Sequence, residues 1–356
     1  MTSPIAHRSA APSQFAVMSS TLPASDVSEK HAESLYVIPA ADPEKIRLGK
    51  QYELKKILVG WNAPIPQSVD LSKVTHVLDV ACGTCAWTVD LATQPLIRER
   101  LPVPGQRSAR DDSIHLFACD IETKFFPDKS ITDKLGITTF QHDITRPFPD
   151  TLQATFDLVH VSFLFLCLTK DGWQKALRNC YDVLKPGGFL LIDEADPVVY
   201  SDMTSAPPED AEGHDLEKCL QAPGWVSEAN RIYAAFAIEN GFFVDMTFQL
   251  SRLLRDAGFD VIDTKRVVAP AGRACHTLKP ELVENGLEDF SVENLSFIFE
   301  HLGAALLAKG KLCMPDGSVV TSSEELKSMV QDVKQGFRED GGFSFGRYCV
   351  AKKMHK

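Results

Sequence analysis

The residues whose types and spacing could do chemistry are two cysteines, Cys82 and Cys85 in the stretch "ACGTCAW", and three aspartates, Asp79, Asp120 and Asp143. A C-x-x-C pair in a reducing compartment suits a redox dithiol or half of a zinc site. A helix opening beside the pair would favour a thiolate, as in dithiol oxidoreductases. A zinc site needs two more ligands at metal-like spacing, and the chain holds no second C-x-x-C, so no metal is expected. The dithiol reading leaves the three aspartates unexplained; a nucleoside site takes them together. Small residues after Asp79 let backbone N–H groups approach a ligand closely. Asp120 can accept from two ribose hydroxyls, and Asp143 from an amino group such as that of adenine. A turn and two acids suit a nucleoside with an amino-acid tail and no phosphates. A dinucleotide site would place its ribose acid roughly 20 residues after the turn, and Asp120 comes much later. Each aspartate also has a plainer alternative, because Asp caps turns. His160, inside an apolar run, reads as a satisfied core histidine.

A site of this kind needs its residues at the carboxyl ends of neighbouring strands in an open parallel sheet. The chain supplies apolar runs at 75–81, 114–120, 137–143, 156–163 and 187–196, ending at or beside Asp79, Asp120, Asp143, Ser162 and Asp196. Between them lie helical stretches at about 87–98 and 171–184, the latter stopped by "LKPGG" (184–188). Strands alternating with helices predict a mostly parallel sheet covered on both faces. Upstream, "DPEKIRLGKQYELKKILVGW" has helical apolar spacing at Ile46, Tyr52, Leu54, Ile57 and Leu58, with Asp42 before Pro43 as a start signal. Downstream, 197–228 is rich in Pro, Asp and Glu and reads as a loop or mobile lid. Helices are predicted in "RIYAAFAIENGF" and in "FQLSRLLRDAGF", the second closed by Gly258, then at 290–310 and 322–338. The strands "DVIDTKRVVAP" and "FGRYCVAKK" complete the pattern.

With 356 residues, 44% of them hydrophobic and 24% charged, the chain has ordinary globular composition. Its formal net charge of −11 argues against nucleic acid as a partner. Nine scattered cysteines and no apolar secretory segment at the start favour a reducing compartment, cytoplasmic or nuclear. The longest apolar stretch, "FDLVHVSFLFLCL", is too short to span a bilayer. The expected organisation is a disordered leader (1–34), an N-terminal helical cap (35–74) and a cofactor-binding core (75–196). A lid or substrate-binding insertion (197–250) and a C-terminal completion of the sheet with extra helices (251–356) follow.

Taken together, "VLDVACGTC", "FACD", "QHDI" and "LKPGG" resemble the motifs of the class I S-adenosylmethionine-dependent methyltransferases. The opening "YVIPAADPEKIRLGKQYELKKILVGWNAPI", the "FDLVH" strand and "LLRDAGFDVIDTKRVVAPAG" are similar to fungal small-molecule methyltransferases and to velvet-associated regulators of fungal secondary metabolism. The resemblance covers roughly residues 35–356. It implies a Rossmann-like α/β fold with a seven-stranded sheet, and S-adenosyl-L-methionine as cofactor. It also implies a cofactor set of Asp79, Ala81, Gly83, Cys85, Asp120, Ile121, Asp143, Ile144 and Ser162. Three positions depart from the pattern, the first being Ala81, a common variant where the family's loop has Gly. Cys85 stands where the family has Gly and is expected to crowd the cofactor's carboxypropyl tail, and Ser162 stands where the fourth strand often ends in Arg.

Methyl transfer from a sulfonium needs an acceptor held in line and water excluded; a phenol, enol or alcohol also gains from a base. His214 in the acidic lid is the candidate catalytic base, against the plainer reading of a solvated loop histidine; Glu194 and Asp196 are further candidates. Trp61, Phe163, Phe165, Trp225, Tyr233, Phe236, Phe242 and Phe243 could wall a pocket, although many must be core. The expected activity is O-methylation of a small hydrophobic secondary metabolite by a monomer or homodimer. The rival is a protein of the same fold that serves as a regulatory partner or as a cofactor-assisted, non-methylating catalyst.

Overall fold

The computed structural model describes residues 38–60, 64–102 and 112–354; the expected leader, Trp61 and most of the polar loop after Pro102 lie outside these. Seven strands form one sheet: β1 (His76–Val80), β2 (His115–Asp120), β3 (Ile137–Gln141), β4 (Phe156–Ser162), β5 (Leu184–Ala195), β6 (Phe259–Ala271) and β7 (Gly342–Lys353). Their spatial order is β3-β2-β1-β4-β5-β7-β6. The first five run parallel, and β7 is inserted antiparallel between β5 and β6. This is the Rossmann-like, mostly parallel sheet that the alternating pattern predicts. The central strands β1 and β4 are near-continuous apolar runs, such as "HVLDV", because helices cover both faces of the sheet.

The order of the strands reverses between β1 and β4, which opens a crevice beyond their carboxyl ends. Around the sheet lie α1 (Asp42–Val59), α2 (Ala86–Thr93), α3 (Pro95–Arg98), α4 (Lys129–Leu135), α5 (Lys170–Val183), α6 (Leu216–Leu220) and α7 (Trp225–Glu239). They continue with α8 (Met246–Asp256), α9 (Cys275–Leu278), α10 (Pro280–Glu284), α11 (Glu288–Ala308) and α12 (Ser323–Glu339). The last of these opens with a capping box between Ser322 and Glu325. Helices α7, α11 and α12 pack on one another. The segment expected as a lid thus contains α6, α7 and the start of α8 rather than a loop alone.

Three local expectations are corrected. The single helix expected over 87–98 is two, because Pro95 forces Gln94 out of the helical region (ψ 133°). The "LKPGG" stretch does not precede β5 but opens it. Leu184 already pairs with Phe156, the register shifts between Phe156 and Leu158, and Gly187 adopts φ 82°, so the turn residues bulge within the strand. On α1, Ile46 is 63% exposed, while the buried positions include Glu44, Arg47, Tyr52, Lys55 and Val59. Arg47 makes the charged face tolerable. Its guanidinium donates twice to Glu44, both bonds at 2.6 Å, and once to Asn294 of α11 at 2.7 Å.

Candidate active site

The crevice is floored by the turn between β1 and α2. Ala81 (φ 55°), Gly83 (φ 51°) and Cys85 (φ 56°) alternate in the left-handed region, where only glycine sits without strain. Cys85 N–H donates to the Cys82 carbonyl at 2.8 Å and closes a tight turn. Cys82 N–H donates to the carbonyl of Cys119 at 3.0 Å, tying the turn to β2. The turn then reaches Asp120 directly, as Gly83 N–H donates to its Oδ2 at 2.8 Å, while Glu122 N–H donates to Oδ1 at 2.9 Å. Each carboxylate oxygen can accept a further hydrogen bond. Burial pushes the Asp120 carboxyl up against the two backbone donors that oppose it.

The other expected cofactor residues divide by what already holds them. Asp79 has both oxygens engaged: Oδ2 accepts from Thr88 Oγ1 at 2.5 Å, and Oδ1 lies 2.7 Å from His160 Nδ1. It braces the base of the turn from inside the sheet. Asp143 closes a turn of its own, its Oδ1 accepting from Thr145 N–H (2.9 Å) and Thr145 Oγ1 (2.7 Å). Ile121 is half-buried beside Asp120 and takes a hydrogen bond from Gln141 on its carbonyl; Ile144 is buried, its carbonyl bound by Asn179. Ser162, at the end of β4, donates to Asp193 Oδ2 at 2.7 Å and accepts from Lys55 Nζ at 3.0 Å. The fold therefore brings Ala81, Gly83, Asp120, Asp143 and Ser162 to adjacent strand ends.

Cys85 does not stand on the ligand side of the turn. Its side chain is fully buried in the apolar cluster that includes Tyr52, Trp87 and Leu91. Its sulfur lies 3.4 Å from that of Cys82, both thiols free. Burial, with the Cys85 thiol and the Asp79 and Asp120 charges adding, holds the Cys82 thiol well above its ordinary value. A reactive dithiol needs the opposite shift.

His214 is neither a solvated loop residue nor open to the crevice. Its side chain is fully enclosed, edge-on to Phe248, with Nε2 2.9 Å from Asp196 Oδ2 and Nδ1 2.7 Å from the Tyr200 hydroxyl. One consistent assignment has Tyr200 O–H donating to Nδ1 and Nε2–H donating to Asp196. Asp196 also accepts from Thr247 N–H at 2.8 Å. As placed, no ring nitrogen of His214 is free to take an acceptor's proton. Glu194, buried near the end of β5, accepts from Leu164 N–H (3.0 Å) and Phe165 N–H (2.9 Å) and so shapes the loop leaving β4; burial drives its carboxyl well up. Of the expected walls, Phe163 and Phe165 follow β4, and Phe165 packs edge-on to Tyr233 at 6.2 Å. Trp225 instead packs on Phe337 of α12, and Phe236 on Phe242.

Sequence reasoning passed over Lys55. Its ammonium is buried at the end of β4, 3.0 Å from both Ser162 Oγ and Asp193 Oδ1. Burial raises the Asp193 carboxyl, but Lys55 and His160 outweigh it and hold the group at about 2. The missed signal was the spacing Leu48, Tyr52, Lys55, Val59, which puts the lysine on the inward side of α1.

Comparison with known proteins agrees with this geometry. Residues 78–190 match the methyltransferase domain family. The chain is 30% identical over 170 residues to a methyltransferase of a Penicillium species (grgD), covering 48% of this chain and 55% of that one. It is 27% identical to the N-methyltransferase sirN of Leptosphaeria maculans, over 68% of this chain and 72% of that one. It is 26% identical to the secondary metabolism regulator LAE1 of Cochliobolus heterostrophus, over 65% and 64%. The chain spans about half the length of the Penicillium relative.

The switch-point crevice and the turn bound to Asp120 lie within or beside the segment that matches the methyltransferase domain family, and the sheet has the Rossmann-like order of class I methyltransferases. Beyond that domain, the chain is similar to fungal methyltransferases of secondary metabolism. The cofactor of the class is S-adenosyl-L-methionine, and the residues present fit it. The turn is small and presents backbone, a Cβ on Gly83 would enter the space under Leu48 (3.7 Å), and Asp120 offers two acceptor oxygens to a vicinal diol. No helix among the described residues is long and apolar enough to cross a membrane.

Proposed function

We propose that the protein transfers the methyl group of S-adenosylmethionine to an oxygen of a small hydrophobic acceptor, a carboxylic acid, enol or phenol, in the cytoplasm or nucleus. Asp120 binds the ribose hydroxyls, Asp143 the adenine amino group, and the 81–85 turn lies against the amino-acid tail. The bound cofactor supplies the electrophilic methyl group; the chain's part is to hold the acceptor oxygen in line and keep water out.

One observation carries the choice of acceptor. The acids closest to the end of β4 are already committed: Asp193 to Lys55 and Ser162, Glu194 to two backbone amides. With His214 enclosed as well, none of the candidate bases is free to deprotonate a weakly acidic group. A carboxylic acid, ionised on its own near neutral pH, needs none and so ranks ahead of an enol or phenol, and the aromatic side chains of Phe163, Phe165 and Tyr233 suit its apolar body. The resemblance to an N-methyltransferase makes nitrogen the competing target.

Isothermal titration with S-adenosylmethionine and S-adenosylhomocysteine, then incubation with a panel of apolar acids, enols, phenols and amines followed by mass spectrometry, tests this. We expect binding that Asp120→Ala weakens by about 10–100-fold, the value of one or two hydrogen bonds to a charged group, and methylated oxygen products. Absence of binding overturns the cofactor reading. Binding with methylation of amines alone overturns the oxygen assignment.

A further inference from the structure

We propose that Lys55 is a positioning residue that fastens α1 over the cofactor turn, so that cofactor binding and the seating of this helix are one event. The inference rests on the reading that the turn and Asp120 hold the cofactor.

Lys55 is an unusual group to find where it is. A buried ammonium is costly unless its partners are both charged and well placed. Here Asp193 and Ser162 supply them from β5 and β4, each 3.0 Å from Nζ, and Ser162 closes the ring by donating to the second oxygen of Asp193 at 2.7 Å. The faces of Tyr52 (5.5 Å) and Phe163 (5.7 Å) flank the charge. The knot sits at the strand ends beside the β1/β4 switch, within the crevice.

Leu48, on the same side of the helix, is the group nearest to Gly83, 3.7 Å from where a Cβ would lie. Lys55 and Leu48 are seven residues apart, about two helical turns. The face that Lys55 anchors is therefore the face that covers the turn. The anchor also joins the turn from below. His160 Nε2 is 3.7 Å from Asp193 Oδ1, while its Nδ1 is 2.7 Å from Asp79, which in turn holds Thr88 at the start of α2. A line of polar groups thus runs from the cap helix through β5, β4 and β1 to both ends of the cofactor turn, hydrogen-bonded except at the 3.7 Å step between Asp193 and His160, which is electrostatic. The far end of α1 is fixed separately, by Lys265 Nζ donating to the Val59 carbonyl at 3.1 Å. Losing Lys55 should loosen the helix over the turn without releasing it.

The test uses the full chain and S-adenosylhomocysteine, with calorimetric affinity and hydrogen–deuterium exchange of residues 42–59 as readouts. In the wild type we expect the ligand to slow exchange across α1. Lys55→Met should bind the ligand about tenfold more weakly and lose that added protection, Lys55→Arg should recover much of both, and the exposed control Lys50→Met should behave as wild type. Should Lys55→Met fail to fold, Lys55→Gln, which keeps a donor without the charge, answers the same question. Wild-type affinity and protection in the folded Lys55 variants, or no ligand effect on α1 in a wild type that binds, overturns the proposal. A wild type that binds no ligand instead removes the cofactor reading beneath it.

Discussion

At the scale of single residues, the turn shows how one position serves two demands. Gly83 occupies φ 51° and donates to Asp120, and the space above it is bounded by Leu48. An added methyl would strain the backbone by about 1–2 kcal/mol and would also occupy the room a ligand tail needs. Gly83→Ala should therefore lower stability in urea by that amount while weakening S-adenosylhomocysteine by at least about tenfold. If affinity falls no further than stability, the turn does not face the ligand. The place of Asp120 at the end of β2 was legible in the sequence because the acid closes an apolar run. Lys55 was not, because a lysine among apolar residues reads as the solvated face until its partners, Asp193 and Ser162, are known to meet it.

At the scale of elements, α1 and β5 illustrate opposite uses of glycine. Gly188 lies in the bulged opening of β5, and a Cβ there would stand 3.0 Å from both Leu184 Cδ2 and the Lys185 carbonyl, and 3.2 Å from the Asp157 carbonyl. Two of the three neighbours are backbone and cannot yield. Gly188→Ala should cost about 1–3 kcal/mol in chemical denaturation, the usual range for overpacking. Gly49, inside α1, has nothing within 4 Å of its would-be Cβ, so Gly49→Ala should stabilise by about 0.5–1 kcal/mol through helix propensity. A destabilised Gly49→Ala would mean that α1 leaves its helical form in solution. The apolar spacing did reveal α1 as a helix, but it pointed to Ile46 as buried. The buried face is built instead on the Glu44–Arg47 and Lys55–Asp193 pairs, whose partners include groups far along the chain.

At the scale of the whole molecule, the sheet buries charge-bearing groups at its other end too, and this sets a pH dependence. His76, at the start of β1, stacks on His115 at 5.0 Å. Burial, then the Lys185 ammonium, lowers His76 from its ordinary value to about 4. The folded state therefore keeps His76 neutral where the unfolded chain, titrating near 6.5, takes up a proton. Stability should fall as pH drops from about 6.5 to about 4, by up to about 3 kcal/mol, and His76→Gln should flatten that slope in urea titrations. An unchanged slope would place the pH dependence elsewhere. The sequence by itself determined the alternation of strands and helices, the strand ends at or beside which Asp79, Asp120, Asp143 and Ser162 lie, and hence the fold class. These features are local: they follow from apolar runs, turn residues and their order. Only the tertiary structure decided which acids remain available. Asp79 and Asp193 are claimed by His160 and Lys55, Asp196 by His214 and Thr247, and Cys85 by the apolar core. A buried polar group must find a partner, and the partner is chosen by packing between distant segments, which no local pattern records.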